Sequence, residues 1–174
     1  MKKGWETYML QIGDRVIYGI HGVCTIVDDT VRVMNQKRLC FYVLEPLDQN
    51  GARFYLPAEN PVTLAKLRPL LSREELDMLL ASPEIRSGSW IQDENRRKQY
   101  YRELMTKGDR IGILQMVYQL HLNKRQQEAQ GRKFHLCDEN FLKDAQKLLE
   151  AEFSLVLEME FQQVAEYVTD ALEK

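Results

Sequence analysis

Three histidines and three cysteines are the residues best able to do chemistry in this 174-residue chain, and their spacing argues against it. His21, His121 and His135 are too dispersed for a metal-ligand set, and Cys24, Cys40 and Cys137 form no Cys-x-x-Cys. His21 and Cys24 are close in sequence, but three residues apart on a strand puts them on opposite faces, which disfavours a Cys–His nucleophile. Gly13, Gly19 and Gly22 sit among strand formers, without the Gly-Lys-Ser/Thr and following helix of a phosphate loop. Asp28-Asp29 reads as a turn and Glu74-Glu75 as the first turn of a helix, where exposed acids are ordinary. The chain reads as a non-enzyme with no metal, no cofactor and no small-molecule substrate. An odd number of unpaired cysteines fits a reducing compartment, and no apolar run reaches the length of a membrane span, so a cytoplasmic location is expected.

Two features point to binding instead. Trp90 precedes a basic helix and could be an exposed wedge or stacking residue beside DNA; equally, it could staple its own segment onto a helical core. Behind it runs Arg96-Arg97-Lys98, with Arg102 close by. Successive helical residues are about 100° apart, so these cations describe a broad basic surface rather than one stripe. Such a surface suits phosphate contacts, although an ordinary solvated helix face would read the same way. Lys124, Arg125, Arg132 and Lys133 could extend it if the helices pack antiparallel. The net charge of −2 conceals the asymmetry: residues 91–135 hold ten Lys/Arg against five Asp/Glu, and residues 136–174 three against ten.

The elements that must position these residues fall into two parts. In residues 1–70, Arg15–Tyr18, Val23–Val27, Leu39–Leu44 and Arg53–Leu56 are short β-rich runs, with Asp48-Gln49-Asn50-Gly51 as a tight turn. Four or five short strands cannot cover both faces of a flat sheet and must curl into a small barrel or pack on a neighbour. Pro57 and Pro61 end the strand pattern. From Leu71 the pattern is helical. Ser72-Arg73-Glu74-Glu75 has capping-box spacing, with Leu71 and Leu76 placed as a staple, and Ser82-Pro83 stops that helix. Residues 71–89 therefore read as a short helix and a linker, and 90–174 as a helical domain. Its helices are expected over about Gln92–Lys107 (closed by Gly108), after Asp109 with Ile111, Leu114, Val117, Tyr118 and His121 on one stripe, from near Asp138, and over Glu160–Leu172. The fold class is α+β: a small N-terminal β-barrel followed by a compact all-α bundle.

The ordered series Ile12-Gly13-Asp14-Arg15-Val16-Ile17-Tyr18, His21-Gly22-Val23, Phe41-Tyr42-Val43-Leu44, Leu56-Pro57-Ala58-Glu59-Asn60 and Leu67-Arg68-Pro69-Leu70-Leu71 resembles the CarD family of bacterial transcription regulators. Trp90, Leu104-Met105-Thr106-Lys107-Gly108-Asp109 and the helix from Asp138 to Glu152 continue the likeness. The resemblance implies a Tudor-like (SH3-like) barrel that binds the RNA polymerase β subunit through a strand edge and charged contacts. It also implies a helical domain lying on promoter DNA, with a tryptophan in the minor groove that stabilises the open complex. By this resemblance Arg32, Arg53 and Tyr55 would face polymerase, Tyr55 standing where better-known members carry arginine. Trp90 would be the wedge, and Arg96 and Arg97 the basic pair behind it. The spacing from Trp90 to that pair is longer than usual, and Gly19-Ile20 replaces a common Pro-His. A protein–protein adaptor that binds polymerase or a related partner without touching DNA is the alternative.

Overall fold

The computed structural model describes residues 10–47 and 51–173, and the chain divides into two compact units, 1–70 and 71–174. The expected turn at 48–51 lies largely outside the described residues.

The first unit is an antiparallel five-stranded sheet in the order β4-β3-β2-β1-β5, formed by β1 (Arg15–Tyr18), β2 (Val23–Met34), β3 (Lys37–Pro46), β4 (Phe54–Pro57) and β5 (Leu67–Pro69). Laid flat, β1 and β4 would stand about 14 Å apart, three strand spacings. Instead, the rings of Tyr18 on β1 and Phe54 on β4 meet at 5.5 Å, and His21 stands 4.3 Å from Phe54. The sheet therefore curls on itself, closing over Val16, Cys24, Ile26, Leu44, Leu56 and Leu67. A short α1 (Pro61–Leu64) bridges β4 to β5. Asn60 caps it, its Oδ1 accepting from the Val62 and Thr63 amides, and Pro61 occupies the first helical position, where its missing N–H costs nothing.

β2 is far longer than the Val23–Val27 run expected for it. A bulge between Ile26 and Asp28 resets the register, and pairing with β3 continues to Met34↔Lys37. Asp28 and Asp29 are strand residues on this ladder rather than a turn. The true turn is Asn35-Gln36, with φ of 52° and 63°, the positive pair that a two-residue hairpin requires to match strand twist.

The second unit packs α2 (Arg73–Leu80), α3 (Glu94–Lys107), α4 (Arg110–Ala129), α5 (Leu136–Leu157) and α6 (Phe161–Glu173) around one core. Ser72 and Glu75 complete both halves of the capping box on α2. Residues 71–89 pack within this unit rather than stringing beside it. Leu76, Leu80 and Ile85 are buried in the helical core, and Gln115 and Gln119 of α4 donate to the carbonyls of Glu84 (2.7 Å) and Gly88 (2.6 Å). Gly108, at φ 62°, ends α3. Asp109 stands at the N-cap of α4 but makes no side-chain capping bond. The buried face of α4 is wider than the expected stripe, comprising Gly112, Ile113, Leu114, Met116, Val117 and Leu120, while Ile111, Tyr118 and His121 are only half-buried. A helix contacting neighbours on several sides buries more than one stripe.

Candidate functional site

In the first unit, the β2–β3 hairpin projects beyond its neighbours. β1 covers β2 only at Val23–Thr25, supplemented by Gly13 N to Ile26 O (2.7 Å) and Ile26 N to Asp14 O (2.9 Å). β4 covers β3 over Phe41–Leu44, and Ala58 N reaches Cys40 O at 2.9 Å. Past these points the hairpin is a two-stranded ribbon whose outer edges have no partner among the described residues. An open edge of this kind is a template for a strand of another chain. Val31, Val33 and Met34 on the ribbon are 59%, 69% and 53% exposed, an apolar surface that sequence reasoning passed over because β2 was ended too early.

Two of the three residues assigned to polymerase by resemblance meet on the sheet. The Arg32 guanidinium lies over the Tyr55 ring, 4.0 Å from its centroid, and both residues are exposed. Arg53 stays apart from that pair, its Nε 3.4 Å from Glu45 Oε2 across the β3–β4 ladder. An exposed cation resting on an exposed aromatic presents charge and apolar area together, the combination that interface anchors use.

Residues 10–70 match the model of the CarD-like/TRCF RID domain. The N-terminal unit belongs to that family. CarD-like RID domains are RNA polymerase-interacting, so this unit carries a polymerase-binding role. No curated protein matches the chain. No helix among the described residues is long and apolar enough to cross a membrane, and none of those residues gather into a group of His, Cys, Asp and Glu able to hold a metal ion.

Beyond the RID unit, the residues expected to face DNA separate into three groups. Arg97 is the first and is a correction: it is an interior residue, 5% exposed, and its guanidinium is occupied. Nε and Nη2 donate to Asp138 Oδ1 and Oδ2 at 2.9 and 2.8 Å, and Nη1 donates to the carbonyls of Ile91 (2.8 Å) and Gln92 (3.3 Å). Burial works against its charge, but the hydrogen bonds and charge of Asp138 more than offset that, so its pKa lies above the usual arginine value. It has no donor set free for phosphate. Trp90 is the second group. Half-buried, it packs against the helical core and lies over the Arg97 guanidinium, 4.5 Å from Cζ to the ring.

The third group is the remaining cations. Lys98 is paired with Glu94 one turn back; that hydrogen bond lowers the Glu94 pKa and raises the lysine's. Arg96 and Arg102 are exposed on α3. Arg132 and Lys133 are exposed in the loop before α5, and the end of that loop lies near the start of α3, His135 Nε2 standing 3.7 Å from Glu94 Oε2. Lys124 and Arg125 lie earlier on α4, half-buried and exposed respectively. The structure therefore gathers Trp90, Arg96, Arg132 and Lys133 at the end of the unit where α3 and α5 begin, and leaves Arg102, Lys124 and Arg125 along the helix flanks. Asp138 is the residue sequence reasoning missed. Its signal was faint: an acid in the first turn of α5, opposite an arginine that recurs with Tyr101 and Leu104 at i, i+4 and i+7 on α3.

Proposed function

We propose that this protein is a cytoplasmic transcription regulator that docks on the β subunit of RNA polymerase through its RID unit and, once docked, lays its helical unit against promoter DNA, modulating open-complex stability. The observation that carries the polymerase half is the exposed Arg32–Tyr55 pair beside an open hairpin edge in a unit of the polymerase-interacting family. Pairing along that edge would supply main-chain hydrogen bonds, while Arg32, Arg53 and Tyr55 would set the orientation. The DNA half rests on Trp90 and on the exposed cations Arg96, Arg132 and Lys133 at one end of the helical unit. Arg102, Lys124 and Arg125 would add backbone contacts without reading sequence. The indole edge would enter the minor groove, where apolar wedges open a base step.

The adaptor reading keeps one observation in its favour. With Arg97 inside and Lys98 paired, the basic surface is smaller than the sequence indicated. Binding to purified RNA polymerase, with and without an upstream-fork promoter DNA, separates the two. Arg32→Ala should weaken polymerase binding about tenfold or more, as loss of an anchor residue does. Trp90→Ala should leave that binding intact and abolish the gain in affinity conferred by DNA. A folded Trp90→Ala variant that keeps the gain, or a wild type that shows none, refutes the DNA role; unchanged binding by Arg32→Ala refutes the docking surface.

A further inference from the structure

One side chain fixes Trp90 twice. Arg97 Nη1 bonds the carbonyls of Ile91 and Gln92, the two residues after the tryptophan, and the same guanidinium lies beneath the indole at 4.5 Å. A guanidinium is planar, so the bidentate bond to the Asp138 carboxylate sets the plane on which the ring rests. Asp138 is 2% exposed and belongs to α5, while Arg97 belongs to α3 and Trp90 precedes it. The position of the indole is thus set by the first turn of a second helix. Exposed loop tryptophans ordinarily sample several rotamers, and each must be given up when the ring is immobilised against a partner.

Resting on the DNA reading of the helical unit, we propose that Asp138 and Arg97 are positioning residues for Trp90: the buried pair pre-orients the indole for its nucleic-acid contact and touches no nucleic acid itself. Arg97 therefore acts through the tryptophan and not through phosphate. The segment Trp90-Ile91-Gln92 needs no rearrangement on binding.

The test uses the full chain in a Trp5→Phe background, which leaves Trp90 as the sole indole of the two in the sequence. Arg97→Met combined with Asp138→Leu removes both charges together and keeps the volume, a replacement that buried pairs often tolerate. Should that double variant not fold, Arg97→Lys takes its place, since it keeps a cation opposite Asp138 and lacks the planar fork on which the indole rests. Acrylamide quenching and anisotropy report Trp90, and the DNA-dependent gain in polymerase affinity reports the contact. The expected result is a folded protein with a more quenchable, more mobile Trp90 and a DNA-dependent gain reduced roughly two- to thirtyfold, the span that a cation–π contact of ordinary strength converts to. Arg96→Ala is the control: it should reduce the gain and leave quenching unchanged. Unaltered quenching in whichever of these variants is folded overturns the proposal, as does altered quenching with an undiminished gain. If the wild type gains nothing from DNA, the DNA reading fails by itself and the quenching comparison still decides whether the pair fixes Trp90.

Discussion

Replacing Glu152 by glutamine exchanges one carboxylate oxygen for an amide nitrogen and should be among the more damaging isosteric substitutions in the helical unit. Glu152, 3% exposed on α5, accepts three bonds: Arg110 Nη2 to Oε1 at 2.6 Å, Arg110 Nε to Oε2 at 2.9 Å, and the Leu71 amide to Oε1 at 3.1 Å. Glutamine can keep its oxygen at the shared position, but its amide then turns a donor toward the Nε–H, and the arginine loses the Glu152 charge. Breaking one side of a buried pair costs about 3–5 kcal/mol. The Arg110 side chain keeps 17% of its exposure, so water relieves part of that and the lower end, about 3 kcal/mol, applies. At about 4 °C per kcal/mol for a unit of this size, the midpoint should fall by about 12 °C. Thermal and urea unfolding followed by far-UV circular dichroism, which the helices dominate, would measure it. Glu152→Leu with Arg110→Leu removes both charges and should recover most of the loss, leaving about 1 kcal/mol for the Leu71 amide without its acceptor. A midpoint shift below about 3 °C in the glutamine variant would refute the buried-pair reasoning. A double variant as unstable as the single one would place the cost in packing instead of charge.

Two further outcomes are expected from the same core. Gly112→Ala would put a Cβ 2.5 Å from Leu104 Cδ2 and 2.9 Å from Asp109 Oδ2; overpacking should outweigh alanine's helix preference, for a net loss of about 1 kcal/mol by urea melts. In a Leu104→Ala background, where the crowding methyl is gone and only the Asp109 contact remains, the same change should cost less. Burial, and after it the Asp138 charge, pushes the Tyr101 phenol up from its ordinary 10.0, so the folded state holds the proton after the unfolded state has lost it. Its contribution is complete below about pH 10 and is lost as pH rises beyond it at about 1.4 kcal/mol per unit; Tyr101→Phe should flatten that slope in denaturation measured from about pH 9 to 11.

The parts of this fold that were legible in sequence are those whose cause is local. Ser72 and Glu75 announce a capping box three residues apart and Gly108 a left-handed helix end, and both appear as read; Pro57 closes β4, but the strands do not end at Pro61, because β5 follows at Leu67–Pro69 and pairs with β1. The hairpin turn was not legible, because Asn35-Gln36 lacks the glycine that normally marks a positive-φ pair and the exposed Asp28-Asp29 looked more like a break. The linker was misjudged for a related reason. Ser82-Pro83 does end α2, but the segment from Glu84 to Gly88 is held by Gln115 and Gln119 on α4, about thirty positions downstream, and polar side chains in a helix carry no mark of the carbonyl they will meet. Trp90 was found by type, whereas its setting depended on Asp138, 41 positions beyond the arginine it holds.

The misplacement of Arg97 bears on how the helical unit could act. Arg96, Arg97 and Lys98 carry the same charge and differ only by their angle around α3, yet one is core, one is exposed and one is paired along the helix. Charge counted along the chain therefore overstates charge presented to a ligand. If about half of Arg96, Arg102, Lys124, Arg125, Arg132 and Lys133 met phosphates, about three counterions would be released, a salt slope near −3. Repressors that hold DNA unaided have slopes of about −10, so this surface is suited to weak, backbone-level contact. Weak contact suffices when a second attachment holds the surface in place, because tethering raises the effective concentration to the millimolar range for a short connection. A polymerase-bound RID unit is such an attachment. On the proposed DNA reading, the small basic surface, the oriented tryptophan and the polymerase-interacting unit would be three parts of one arrangement, in which polymerase would select the DNA and the helical unit would need only weak contacts to it.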